Sequence, residues 1–318
     1  MRHAYMIMAH NHFKTLKLLV QALDHPNHDI YIHVDKKAGS FDPALISATC
    51  KHASISFIPR RCANWGGYSL VDITMSLLRT AVQKEHGYYH LLSGADMPLA
   101  PSNEIDAFFE AHQGFEFISF WVFRNSIQES TFLDRMRYYY YICDSFLTRW
   151  TFLEKVNIKN IVLHIKNPWS NTVRGLDTKL LLPLQKRLGV DRVKKSQLTF
   201  RKGSQWFSIT HDFATYLLTQ EKVIQEFAKY SSCPDECFVQ TIAYNSEFRS
   251  RIYDLTPSQC STKSSMREID WSSPSSPNPR IFTSEDYQRL MDSGMLFARK
   301  FDESKDFDII RRIYEHIT

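Results

Sequence analysis

Four polar clusters end apolar runs in the first hundred residues: His10-Asn11-His12, Asp35-Lys36-Lys37, Arg60-Arg61 and Ser93-Gly94-Ala95-Asp96. Imidazoles, carboxylates and fixed cations of this kind can hold an anion, orient it and pass protons. Strand ends are polar anyway, so the clusters mark a place for chemistry without naming it. Further along, Pro234-Asp235-Glu236 opens a helical segment. The helix dipole favours an acidic residue there, and the same start fixes the direction of a carboxylate able to act as a base. Other signatures are missing: there is no G-x-G-x-x-G, no phosphate-binding P-loop and no H-E-x-x-H. Cys233 and Cys237 form a lone C-x3-C without the second pair expected of a zinc site. Asp306-Phe307-Asp308 could ligate a divalent metal, but it lies in the C-terminal tail, away from any core strand end, and is read as chance.

These residues need a frame. Apolar runs at 4–9, 29–34, 54–58, 88–92 and 115–120 predict five strands. Helical spacing at 13–23 and 68–82 predicts helices between them, the second with Val71, Ile73, Leu77, Leu78 and Ala81 on one side. The alternation predicts an α/β fold with a mainly parallel sheet, which binds ligands beyond the carboxyl ends of its strands. Over 121–203 the pattern loosens. Aromatics cluster at 132–152, and Lys186, Arg187, Arg192, Lys194, Lys195, Arg201 and Lys202 follow. This segment fits a partner- or membrane-facing surface and, equally, a packed aromatic cluster beside a solvated helix. A strand is expected at 205–209 and helices at 210–218, 236–243, 284–291 and 309–317. The Ser/Pro-rich stretch 257–279 reads as a loop, because the apolar pattern resumes after it.

With 318 residues, 43% hydrophobic and 23% charged, the chain is a globular protein of one large or two modest domains. Disorder, collagen and coiled coil are excluded as global descriptions. The 14% of aromatics serves a large core or flat, ring-shaped ligands. A formal charge of +5 suits an anionic ligand such as a nucleotide diphosphate and does not call for nucleic acid. No apolar run is long enough for a membrane span, and the N-terminus reads as a first strand, not as a signal peptide. Six scattered cysteines read as free thiols. Together these features predict a cytoplasmic location.

Five longer strings are more specific: Asn64-Trp65-Gly66-Gly67-Tyr68-Ser69-Leu70-Val71, Leu91-Leu92-Ser93-Gly94-Ala95-Asp96-Met97-Pro98-Leu99, Lys202-Gly203-Ser204-Gln205-Trp206-Phe207, Cys233-Pro234-Asp235-Glu236 and Leu296-Phe297-Ala298-Arg299-Lys300-Phe301-Asp302. In this order, over about residues 4–302, the chain resembles the core-2/I-branching β-1,6-N-acetylglucosaminyltransferase family (glycosyltransferase family 14), which also includes the peptide O-xylosyltransferases. The resemblance implies a GT-A-like, Rossmann-related fold, a mixed, mainly parallel sheet flanked by helices. It implies one domain over 1–318, with 1–120 binding the nucleotide sugar and 121–318 binding the acceptor and carrying catalysis. It also implies inverting transfer from a UDP-sugar without a divalent metal or other cofactor. The family's base would fall on Glu236 and its diphosphate cations on Arg280 and Lys300. The nucleoside would lie near Met8, Ala9, Asp35 and Arg60 or Arg61, with Asp96 facing the donor sugar. The animal members of the family pass through the Golgi with a membrane anchor and disulfides. This chain shows neither and reads as a compact microbial form.

Inverting transfer needs one carboxylate to take the acceptor hydroxyl proton as the new bond forms. The departing diphosphate gains charge, which a metal or fixed cations must meet. Trp206 and Trp271 are candidates to stack on an acceptor sugar; Trp206 is equally suited to a core, and so is Trp65 in its glycine turn. The expected donor is UDP-GlcNAc, with UDP-xylose second. The expected acceptor is a surface-polysaccharide or lipid-linked glycan, reached with peripheral contact at the inner face of the membrane. The alternative is a non-catalytic UDP-sugar or glycan-binding protein on the same fold. Nucleic acid is not an expected partner.

Overall fold

Strand β1 (His3–Ala9) is buried along its whole length, as a strand covered on both faces must be. Its side chains alternate between two cores. Ala4, Met6 and Met8 enter one, which also takes Val71, Leu77 and Leu78. Tyr5, Ile7 and Ala9 enter the other, with Leu16, Leu19 and Val20, and with Ile309, Ile310 and Ile313 of the C-terminal helix Phe307–Ile317. The computed structural model of the chain describes residues 1–141, 144, 177–255, 263–272 and 278–318.

β1 pairs in parallel with β2 (His28–Val34) and with β4 (Tyr88–Ser93), and β2 pairs with β3 (Ser54–Phe57). The order is β3-β2-β1-β4, completed by antiparallel β6 (Ser208–Thr210). A smaller sheet joins β5 (Asp96–Pro98), β8 (Phe297–Arg299) and β7 (Arg267–Ile269) in the order β5-β8-β7. Helices α1 (Phe13–Ala22), α2 (Ala44–Ser47), α3 (Ser69–Ala81), α4 (Ser102–Ala111) and α5 (Ser126–Arg137) follow the strands in sequence. The class is the expected one: α/β, with a mixed, mainly parallel sheet flanked by helices.

The expected strand at 115–120 is not formed. Glu116 and Phe117 make single bridges to Ile252 and Ser208. The Ile118 N–H then turns back onto the Glu116 carbonyl, which bends the chain out of any ladder. The edge position goes to β6. The helix expected at 284–291 is capped one residue earlier, by Thr283 reciprocally with Asp286, and begins as a 3-10 turn, Ser284–Asp286, ahead of Tyr287–Met291. Asp306 of the D-x-D accepts the Ile309 N–H as the N-cap of the last helix, a structural use that explains the residue type.

Of the aromatic segment 132–152 only part lies within the described residues. There the Tyr139 and Tyr141 rings stack at 5.5 Å and Arg192 lies over Tyr139, a packed arrangement. The Ser/Pro-rich stretch is described only in part, and Cys143 and Cys260 fall outside the described residues. Cys50, Cys62 and Cys237 are not in disulfides. Among the described residues no helix is long and apolar enough to cross a membrane.

Candidate active site

A cleft of about 360 Å³ opens at the carboxyl ends of β1, β2 and β4. Met8, Ala9 and His10 line it from β1, His33 and Asp35 from β2, and Ser93 from β4. Trp65, Leu70, Gln205, Trp206 and Arg299 form the facing wall. Parallel strands end together, so one level of the sheet delivers three polar ends to one place.

Asp35 is buried and N-caps a one-turn helix, accepting the Lys37 N–H at 2.9 Å and the Ala63 N–H at 3.2 Å on one oxygen. The Lys37 ammonium donates to the Asn64 side-chain Oδ1 at 3.2 Å. Arg60 braces this turn from outside, donating to the carbonyls of Asp35 and Gly39, both at 2.8 Å. Arg61 is exposed and paired with Asp72. Neither arginine lines the cleft.

Asp96 is buried and accepts the Ser93 N–H at 2.8 Å, the Ser93 hydroxyl at 2.6 Å and the Arg299 guanidinium at 2.7 Å. It therefore faces Arg299 and not open space. Arg299 lies 4.4 Å over the Trp206 ring, in the cleft wall. Trp206 is 7% exposed, so it is core on one side and cleft floor on the other. Trp65 is 45% exposed and belongs to the cleft.

Lys300 follows Arg299 and is half-buried. Burial and the Arg299 charge push its pKa down. Burial pushes His10 down to about 4, with Lys300 and Arg299 as the next causes, so this imidazole is neutral at pH 7 among cations. Arg280 stands apart in its commitments. It donates to Asp270 at 2.8 Å and to Asp286 at 3.0 Å, and those two bonds hold its pKa above the ordinary arginine value. Its link to the cleft is through the backbone: the Phe282 N–H donates to the Lys300 carbonyl at 2.9 Å.

Glu236 ends a 3-10 turn, Pro234–Glu236, that precedes the helix Phe238–Tyr244 and is tied to two cleft-lining strings. The Cys233 N–H donates to the Gly66 carbonyl at 2.8 Å, next to Trp65, and the Gly203 N–H donates to the Glu236 carbonyl at 2.9 Å, two residues before Gln205. Gly66 has φ 73°, a left-handed turn that favours glycine. Gly203 is required for another reason: a Cβ there would stand 1.9 Å from the Ser119 carbonyl oxygen. The Glu236 carboxylate accepts from Arg135 at 2.9 Å and lies 3.5 Å from the Lys202 ammonium. Lys202 sits 4.1 Å over the Trp121 ring, and Trp121 meets Trp271 edge to face at 5.7 Å. Both indole N–H groups are buried with no hydrogen-bond partner among the described residues. Asp235 is buried behind Glu236, and burial together with the Glu236 charge raises its pKa.

The arrangement thus divides in two. One part is a cleft with Asp35, Lys37, His10, Arg299 and the adjoining Lys300. The other is a carboxylate, Glu236, beside two tryptophans. Such a division suits an anionic ligand in the cleft and a proton transfer at its edge. Arg299 and Trp121 were not singled out as site residues from sequence, whereas His10 and Lys37 stand in two of the polar clusters that were. For Arg299 the signal was present, since it stands inside the F-A-R-K-F-D string.

Comparison with known proteins bears on this geometry. A family model described as "Core-2/I-Branching enzyme" matches residues 3–128 and 141–291. Human xylosyltransferase 2 is 24% identical over 335 aligned residues, covering 99% of this chain and 34% of that protein. Xylosyltransferase sqv-6 of Caenorhabditis briggsae is 23% identical, covering 93% of this chain and 34% of its own length. The chain thus spans about a third of the curated relatives it matches. Among solved structures, apo mouse xyloside xylosyltransferase 1 aligns with 76% of this chain and 81% of its own, at 11% identity and a TM-score of 0.31.

Proposed function

The chain belongs to the Core-2/I-Branching enzyme family, and from that premise we propose that it is an inverting, metal-independent glycosyltransferase moving a sugar from a UDP-sugar to a glycan hydroxyl. The observation that carries this reading is the convergence of fixed cations on a cleft at the strand ends, with one carboxylate on the 3-10 turn that flanks it.

UDP occupies the cleft, with its nucleoside near Met8, Ala9 and Asp35 and its diphosphate toward Arg299 and Lys300. Asp96 orients Arg299, and Arg280, held by Asp270 and Asp286, fixes the segment that bonds the Lys300 carbonyl. Glu236 takes the proton of the acceptor hydroxyl. The freed oxygen attacks the anomeric carbon from the face opposite the diphosphate, so the configuration inverts. The anomeric C–O bond breaks and its electron pair leaves with UDP, where Lys300 and Arg299 meet the charge. Trp121 and Trp271 supply flat surface for the acceptor sugar.

The donor is UDP-GlcNAc or UDP-xylose; the names of the similar animal proteins bring xylose level with GlcNAc. The acceptor is a surface-polysaccharide or lipid-linked glycan. For a lipid-linked acceptor, the exposed Leu180, Leu184 and Leu188 beside Lys186 and Arg187 offer an apolar and basic contact to a membrane face.

The test is Glu236→Gln, assayed with both labelled UDP-sugars. Transfer falls by about 10²–10⁴, the usual share of a general base, while UDP affinity stays at the wild-type value. Undiminished turnover in the variant would reject Glu236 as the base. Binding of UDP-sugar with no turnover in the wild type toward any glycan tried would favour the non-catalytic alternative.

A further inference from the structure

At the amino ends of the same strands a second group of side chains converges, and the proposed transfer uses none of it. His3 and His28 open β1 and β2 and are partners in register. Asp106 comes from α4, and His25 from the turn before β2.

The His28 Nδ1 lies 2.9 Å from the Leu23 carbonyl oxygen, which can only accept, so Nδ1 carries a proton. Its Nε2 is then left facing Asp106 Oδ1 at 2.8 Å. His3 Nε2 approaches the same oxygen at 3.4 Å. His3 is fully buried, and this nitrogen has no hydrogen-bond partner among the described residues. Its other nitrogen is held by His90 Nε2 at 2.9 Å. His25 Nδ1 stands 3.7 Å from Asp106 Oδ2. The donor atoms of His25, His28 and Asp106 all lie within 4.8 Å of one another. The His25 side chain is 31% exposed and gives the group a route to solvent.

With Nδ1 committed to the Leu23 carbonyl, His28 meets the Asp106 carboxylate favourably only with a second proton or a metal ion on Nε2. A proton there serves His28 alone. A metal ion serves His25, His28 and Asp106 together, taking over the His25 Nδ1 lone pair from the Asn27 N–H at 3.3 Å. In a tetrahedral zinc site with bonds of about 2.0–2.1 Å, neighbouring ligand atoms stand about 3.3–3.4 Å apart. The 3.7 Å separation is close to that spacing, and the 2.8 Å one would open by about half an ångström.

We propose that His25, His28 and Asp106 form a zinc site at the amino end of the sheet. Two imidazoles and a carboxylate are a suitable donor set for zinc, with water in the fourth position on the part-exposed His25 side. The Leu23 carbonyl orients the His28 ring from behind, as outer partners of metal-binding histidines do. The ion would pin the start of β2 to α4. It is separate from the transfer chemistry, because a seven-residue strand sets the two ends about 20 Å apart.

The experiment uses the full chain, stripped of metal and then dialysed against zinc, with cobalt(II) as a coloured probe. One zinc per chain, a tetrahedral cobalt spectrum and a zinc-dependent rise in melting temperature are expected. His25→Gln, a change at a part-exposed position, weakens zinc by about tenfold or more, removes most of the thermal gain, and leaves UDP binding as it was. Asp106→Asn weakens zinc further. Failure of the wild type to bind zinc at micromolar concentration overturns the proposal, and so does equal zinc binding by wild type, His25→Gln and Asp106→Asn.

Discussion

The two ends of β1 put histidine to opposite uses. At the carboxyl end, His10 and His33 are both held down to about 4, by burial above all, and Lys300 and Arg299 act in the same direction on His10. These rings are neutral lining in an open cleft where the cations Lys37 and Arg299 outnumber the carboxylate Asp35. At the amino end, His3 and His28 face a carboxylate, and the space between them is closed. The residue type is the same at both ends. What surrounds it decides whether the ligand invited is an anion or a cation.

That contrast can be broken by substitution. Lys300→Ala and Arg299→Ala are each expected to lower the transfer rate by roughly 10²–10³, the cost of removing a charge-assisted contact to a leaving group. Arg280→Ala acts only through the Lys300 backbone, so its loss is smaller and appears mainly in donor KM. Asp106→Asn, at the other end, leaves kcat and KM unchanged at temperatures below its melting transition. Steady-state kinetics on the four variants check the set. Equal loss from Arg280→Ala and Arg299→Ala would return Arg280 to the phosphate, and a kcat effect from Asp106→Asn would join the two ends.

A smaller effect separates burial from neighbouring charge. Glu116 lies outside both groups, and burial raises it to about 7 although Thr210 donates to both of its oxygens. The folded protein therefore holds a proton that the unfolded chain releases near 4.5. Stability falls as pH rises from about 4.5 to about 7 and is flat above that. Asp235, also raised, adds a slope of the same sign. Asp270, lowered to about 2 although burial opposes the shift, is held down chiefly by its hydrogen bonds from Ser272 and Arg280 and contributes the opposite slope, below about 4. Urea melts between pH 4.5 and 7.5 should show a shallower fall in Glu116→Gln than in the wild type. Identical slopes would remove Glu116 from the account.

The strands that carry both ends were legible because β1, β2 and β4 are nearly unbroken apolar runs. Helix α3 was legible from its one-sided spacing. The run 115–120 misled for the same reason: apolar content predicts burial, and Glu116–Ile118 is buried, but the turn at Ile118 is a backbone event that side-chain pattern does not encode. Met8, Ala9 and Asp35, named from sequence for the donor, and Trp206, named for the acceptor, all line the one cleft. Arg280 shows the limit. Its competing partners Asp270 and Asp286 sit ten and six residues away in sequence and become partners only once the small sheet forms. The companions of Glu236, Arg135 and Lys202, lie still further off in the chain. The histidine group was invisible for a similar reason, since His3, His25, His28 and Asp106 match no spacing motif and meet only through β1–β2 pairing and α4.

The most direct test of the account is a calorimetric titration of UDP into chelator-treated protein, wild type against Lys300→Ala, with circular dichroism confirming that both stay folded. Binding by the wild type without added divalent metal, weakened by at least about tenfold in Lys300→Ala, is the predicted result. No binding by the wild type until manganese is supplied, or equal affinity in the two proteins, would contradict it.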